Sequence, residues 1–185
     1  MALCALSLAA CEGGQPKFKG TDITGVDYGK SLELTDHTGK LRRLDEFRGK
    51  AVVLFFGFTH CPDVCPTTLT DVAQAVGQLG AAAARVQVLM VTVDPERDTQ
   101  EALAKYVPAF DPRFLGLRGD LAATRRAAQE FKVYFEKRPG KTPQDYSVDH
   151  SAQTYVFDPQ GRLRLFVRQE RIAEDLAHDL RVLLK

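Results

Sequence analysis

No apolar run in this sequence approaches the roughly 20 residues that a membrane-spanning helix needs. Charge of one sign is equally lacking: 25 Lys and Arg against 24 Asp and Glu leave a formal net charge of +1. That balance provides no basic stripe for phosphates, so no nucleic acid is expected as a partner. Internal repeats and low-complexity tracts are missing, and the 185 residues read as one domain. Cysteine is scarce, at 4 residues, while hydrophobic residues make up 44%. A chain of this length and composition builds an ordinary core without disulfide staples.

What is present begins at the N-terminus. Ala2–Ala10 is apolar, and Leu8-Ala9-Ala10-Cys11 ends in small residues before a cysteine. This resembles the lipobox of a bacterial lipoprotein signal, although no charged segment precedes the apolar run. The competing reading is a disordered terminus. In the lipobox reading residues 1–11 are a signal remnant, Cys4 leaves with the leader and Cys11 carries the lipid anchor. More than one acyl chain on that cysteine gives stable membrane attachment. The protein is then expected in the bacterial cell envelope, on the outer, periplasmic face of the cytoplasmic membrane, an oxidising compartment. Residues 12–30 are Gly-rich and polar and read as a tether, leaving 31–185 as the folded domain.

Along the domain, Leu32–Leu34 and Leu41–Leu44 flank Asp36–Lys40 as an N-terminal hairpin. Ala51–Phe58 is a continuous apolar run, as for a central strand covered on both faces. Leu69, Val72, Ala73, Val76 and Leu79 recur at helical spacing, which predicts a helix over Pro66–Leu79. Pro66 suits its first turn. Val86–Val93 reads as a second buried strand. Asp98 is a candidate N-cap for a helix through Tyr106, and Asp120 for one running to about Phe131. Phe114–Leu117 and Val133–Glu136 read as short extended segments. Arg138–Val148, with Pro139, Gly140 and Pro143, reads as a loop. Gln153–Phe157 and Leu163–Val167 bracket Asp158-Pro159-Gln160-Gly161 as a hairpin. Ile172, Leu176, Leu180 and Leu183 line a C-terminal helix. This order predicts an α/β fold: a thioredoxin-like mixed sheet with helices on both faces.

The chemistry concentrates at Cys61 and Cys65, a Cys-x3-Cys pair between the first central strand and its helix. Two cysteines this close shut a tiny loop, which constrains the unfolded chain little, so a stabilising staple explains them poorly. Thiolates are soft metal ligands and redox nucleophiles. If Cys61 lies at or just before the first turn, the two sulfurs converge. They then either bond to each other or grip one ion, and the helix N-terminus favours the thiolate in both cases. Cu(I) is the ion such a pair selects first, with zinc also compatible. A third ligand comes from His37, His60, His150 or His178. His37 sits in a predicted turn, His60 is expected to point away from the sulfurs, and His178 lies on the C-terminal helix. His150 ends the long loop and precedes a strand expected beside the cysteines. Asp149 either orients its imidazole or faces solvent.

Three motifs now stand in order: Cys-Pro-Asp-Val-Cys-Pro after a Phe-rich strand, Val-Thr-Val-Asp-Pro-Glu-Arg-Asp at Val91–Asp98, and Val-Asp-His-Ser at Val148–Ser151 before a strand ending Phe-Asp-Pro-x-Gly. Together they resemble the Sco/SenC family of copper-delivery proteins for cytochrome c oxidase, over about Ser31–Lys185. The resemblance implies a thioredoxin-like fold and copper, as Cu(I) or Cu(II), bound by Cys61, Cys65 and His150. It implies an upstream copper donor and, as recipient, the copper-bearing subunit of cytochrome c oxidase. It assigns no chemistry to Asp94, Pro95, Arg97 and Asp98, which read as a strand-ending turn with a helix cap. Phe55, Phe56 and Phe58 read as core and rim packing, with an exposed Phe58 available to a docking partner. The function expected is a copper metallochaperone whose binding is gated by oxidation of the cysteine pair. The alternative is a thiol–disulfide oxidoreductase that reduces the cysteines of the oxidase copper site. A peroxiredoxin-type peroxidase is disfavoured, because Thr59 lies two residues before Cys61 instead of three.

Overall fold

Ala51–Gly57 (β4) is buried at every position, which puts it at the centre of the sheet. The computed structural model describes residues 17–142 and 145–185; Cys4, Cys11 and the signal-like segment fall outside them. Around β4 the remaining strands are β1 (Thr21–Asp22), β2 (Glu33–Asp36), β3 (Leu41–Arg43), β5 (Val86–Thr92), β6 (Leu115–Arg118), β7 (Phe135–Arg138), β8 (Ser147–His150), β9 (Gln153–Phe157) and β10 (Leu163–Arg168). The helices are α1 (Val64–Gly77), α2 (Gln100–Tyr106), α3 (Leu121–Glu130) and α4 (Ile172–Leu183).

The main sheet runs in the order β1-β10-β9-β4-β5-β6-β2-β3. Strands β4, β5 and β6 are parallel, with Gly57 opposite Thr92, and β9 is antiparallel to β4, with Phe55 opposite Thr154. Side chains alternate across a strand. Val53 and Phe55 therefore pack with Leu69, Val72, Leu103, Leu176 and Leu180 on the face of α1, α2 and α4. Val52, Leu54 and Phe56 pack with Ala127, Ala128 and Phe131 on the face of α3. This is the mixed sheet with helices on both faces that the sequence predicts, N-terminal hairpin β2–β3 included. The carboxyl ends of β4 and β5 and the start of β9 meet at one edge, where α/β folds place their ligands.

Three expectations need correction. The supposed tether is part of the domain from Lys19 onward: β1 pairs with β10, and the backbone N–H groups of Lys19 and Gly20 both donate to the buried Asp179 carboxylate at 2.8 Å. Asp98 is not the α2 cap; Thr99 is, its Oγ1 accepting from Ala102 N at 3.1 Å. Asp120 does cap α3, accepting from Ala123 N at 2.7 Å. Finally, the loop is shorter than Arg138–Val148: Arg138 belongs to β7, and Ser147 and Val148 to β8, an antiparallel ribbon with Phe135 opposite His150.

Asp179→Ala would leave two backbone donors without their anion. A loss of about 2 kcal/mol of unfolding free energy is expected in a urea titration. An unchanged midpoint would mean that the N-terminal segment is not fastened to α4.

Candidate metal centre

β4 stops at Gly57, whose carbonyl accepts from Val93 N at 2.9 Å. The chain turns before α1 begins at Val64, and Cys61 N donates to Phe58 O at 3.3 Å. A helix begins with backbone N–H groups that lack intrahelical partners. Here Asp63, at the cap position, makes no side-chain cap bond, and the Cys61 sulfur instead accepts from Cys65 N at 3.4 Å. The helix start thus holds the Cys61 sulfur 3.4 Å from the backbone nitrogen of Cys65. Cys61 is half-buried, whereas Cys65 is 2% exposed; both are free thiols. Gly57 makes room for the deeper sulfur: a Cβ there would lie 2.9 Å from Cys65 Sγ and 3.3 Å from the Phe55 ring.

His150 arrives on the last position of β8, and its Nε2 stands 4.0 Å from Cys65 Sγ. A thiolate and an imidazole on one ion of this type, at about 2.3 and 2.0 Å, lie no more than about 4.3 Å apart. The pair therefore fits a shared ion with little movement. His150 Nδ1 lies 3.4 Å from the Val148 carbonyl, which assigns the ring proton to Nδ1 and leaves the Nε2 lone pair facing the sulfur. The Phe58 ring meets the imidazole edge-on with centroids 5.7 Å apart. Among the described residues, no three His, Cys, Asp or Glu side chains are already drawn into a closed cage. What exists is the Cys65–His150 pair with Cys61 beside it, under a cleft of about 310 Å³ lined by Phe58, Cys61, Pro62, Val64, Val148 and His150. A larger hollow of about 620 Å³ lies between Tyr28 and α3 and is lined by no cysteine or histidine.

Burial dominates the electrostatics. It pushes the Cys65 thiol well above its ordinary value; a backbone hydrogen bond at Phe58 opposes this, and neighbouring Cys61 adds to the rise. The expectation of a ready thiolate is therefore corrected for Cys65, which is a thiol at neutral pH. Burial also holds His150 below the usual histidine range, opposed more weakly by the Val148 carbonyl. A neutral imidazole is the form that binds metal.

The other histidines are elsewhere. His60 stands 3.0 Å from Thr59 Oγ1, and His178 donates to the Lys17 carbonyl at 3.1 Å. His37 is not merely solvated: its Nδ1 accepts from Gly116 N at 3.1 Å and ties the N-terminal hairpin to β6. Asp149 does not orient His150; it pairs with Arg138 at 2.7 Å. Phe58 is 3% exposed, so it is not a docking surface.

Sequence reasoning missed two supports. Asp98, fully buried, accepts from Thr59 N at 3.0 Å and Thr59 Oγ1 at 2.6 Å, just before Cys61. Asp94 accepts from the Tyr146 hydroxyl at 2.8 Å, just before β8. The acidic turn was visible as a motif; its partners lie too far along the chain to be read from spacing.

The sequence profile described as SCO1/SenC matches residues 21–185. The human protein named "Protein SCO2 homolog, mitochondrial" is 43% identical over 152 residues, which is 81% of this chain and 57% of that protein. The chain thus spans little more than half the length of such curated relatives. Among solved structures, Bradyrhizobium japonicum ScoI with copper bound is 38% identical, with a TM-score of 0.78 over 85% of this chain and 99% of that one. Apo Sco1 from Thermus thermophilus is 42% identical, with a TM-score of 0.81 over 93% of this chain and 100% of that one.

Two outcomes follow from the geometry. An alkylating reagent should label Cys61 before Cys65 in the reduced protein, by mass spectrometry; equal rates would contradict the burial of the second sulfur. Gly57→Ala should cost about 1–3 kcal/mol in denaturant titration, because the new methyl meets the sulfur and the Phe55 ring. A neutral result would mean that Cys65 has room to spare.

Proposed function

The chain belongs to the SCO1/SenC family, and from that premise we propose that it is a copper carrier that holds one copper ion between Cys61, Cys65 and His150. The observation that carries this reading is the 4.0 Å approach of His150 Nε2 to Cys65 Sγ across 85 positions of sequence. Copper is the cargo. Two thiolates and an imidazole suit Cu(I) and also accept Cu(II). A three-ligand shell leaves an open position at which an incoming partner ligand begins exchange. Oxidation of Cys61 and Cys65 to a disulfide removes two ligands at once, so loading requires the reduced pair. The copper-bound state of the related ScoI supports the choice of ion.

The recipient in this reading is the copper-bearing subunit of cytochrome c oxidase, supplied through this protein by an upstream donor. Cys11, preceded by Leu8-Ala9-Ala10, is proposed to carry a lipid that holds the domain at the periplasmic face of the membrane. No described helix is long and apolar enough to cross a membrane.

One observation favours a second reading. Cys61 is half-buried and Cys65 buried, the asymmetry of an attacking thiol and a resolving thiol. A reductase of the oxidase copper-site disulfide would use that asymmetry without needing His150.

Cys61→Ser or Cys65→Ser should abolish tight copper binding, and His150→Ala should weaken it by at least about tenfold in a chelator competition. A His150→Ala protein that binds copper as tightly as the parent and keeps full reductase activity would overturn the carrier reading.

The pH dependence has a definite sign. Cys65 is a protonated thiol at neutral pH, so copper uptake expels its proton. That proton alone should strengthen binding by about tenfold for each unit rise between about pH 6 and pH 8. His150 adds no further proton release above its ordinary value of 6.5, because burial already keeps it neutral there. Copper loading that releases no proton would contradict ligation by the buried thiol.

A further inference from the structure

The turn Asp94–Asp98, which follows β5, touches both halves of the site. On one side the buried Asp98 carboxylate accepts from Thr59 N, from Thr59 Oγ1 at 2.6 Å and from Thr92 Oγ1 at 2.5 Å. Thr59 is two residues before Cys61, so Asp98 fixes the arm that carries this sulfur. On the other side the Asp94 carboxylate, 2% exposed, accepts from Tyr146 Oη at 2.8 Å and from Arg97 Nε at 2.5 Å. Arg97 Nη1 donates to the Tyr146 carbonyl at 2.9 Å, and the guanidinium lies 3.6 Å above the Tyr146 ring. Tyr146 immediately precedes β8, the strand that ends in His150.

The ribbon needs such a fastening. A two-stranded ribbon is marginal by itself, and β7–β8 pairs with no other strand among the described residues. A groove of about 320 Å³, lined by Pro95, Leu121, Phe135, Lys137 and Val148 among others, opens between the ribbon, the turn and α3. Val148 of the ribbon is buried in the core with Phe56 and Phe58, and side-chain bonds fasten the rest, Lys137 to Glu96 of the turn at 2.6 Å among them. Among the described residues, Arg97 Nη2 is buried with no hydrogen-bond partner.

We propose that this turn is a two-sided clamp: Asp98 positions the Cys61 arm, Asp94 with Arg97 positions the His150 arm, and one rigid turn sets the gap between sulfur and imidazole. The proposal rests on the copper-carrier reading and adds a release step to it. Opening the Tyr146 latch withdraws the imidazole and leaves both sulfurs in place, so the ion passes from a three-ligand to a two-ligand state without oxidation of the pair. Asp94, Arg97, Asp98 and Tyr146 act as positioning residues and are not ligands.

The test uses Tyr146→Phe, which deletes the hydroxyl and keeps the ring under Arg97, and Thr59→Val, which deletes the hydroxyl facing Asp98. In the metal-free protein, Tyr146→Phe should raise hydrogen exchange in the ribbon by about tenfold and leave β4 and β5 unchanged. In the copper-loaded protein it should speed copper loss to a chelator by about tenfold and keep the sulfur-to-copper charge-transfer band. Thr59→Val should speed alkylation of Cys61 and leave ribbon exchange unchanged. Unchanged ribbon exchange in Tyr146→Phe would overturn the clamp, as would faster exchange with copper loss unaltered. Uptake of no copper by the parent protein would sink the carrier reading alone, because the metal-free exchange and alkylation contrasts still decide the clamp.

Discussion

A buried sulfur and an imidazole meet at 4.0 Å although 85 positions of sequence separate them. Most of what matters in this molecule serves that meeting. The parallel pairing of β4 with β5 and the antiparallel pairing of β4 with β9 bring the two segments to one edge. Gly57 withholds a side chain where the Cys65 sulfur must lie. The start of α1 then gives a backbone N–H to the other sulfur, which keeps Cys61 close without a covalent bond.

Burial sets the chemical state of the pair. It raises the Cys65 thiol and lowers the His150 imidazolium, so both groups are neutral at rest. A neutral pair is inexpensive to bury, whereas an isolated thiolate in the same place is not. The charge of an arriving cation compensates the thiolate it creates, which links ion capture to proton loss. At Cys65, loading thus exchanges a proton for a metal.

Much of the fold was legible because it is written in local periodicity. The apolar run of β4, the helical spacing of Leu69, Val72 and Val76, and the turn Asp158–Gly161 each announce their element within a few residues. Cys61 and Cys65 were legible for the same reason. What could not be read is long-range. Asp98 and Thr99 both suit a helix cap, and only the tertiary bonds of Asp98 to Thr59 and Thr92 decide between them. Residues from Lys19 look like a tether until Asp179, 160 positions away, captures their backbone. Pro139 and Gly140 do lie in a loop, but the pairing of Phe135 with His150 that makes a ribbon on either side of it is fixed across the chain. His150 as a candidate ligand came from its place before a strand and from a family likeness, and the spacing itself left it in competition with three other histidines.

The most direct test is X-ray absorption of the reduced protein loaded with copper, read beside the same spectrum of His150→Ala. The account predicts a shell of two sulfur scatterers and one imidazole nitrogen in the parent, with the nitrogen contribution missing from the variant. A parent shell of sulfur alone, unchanged in the variant, would contradict it.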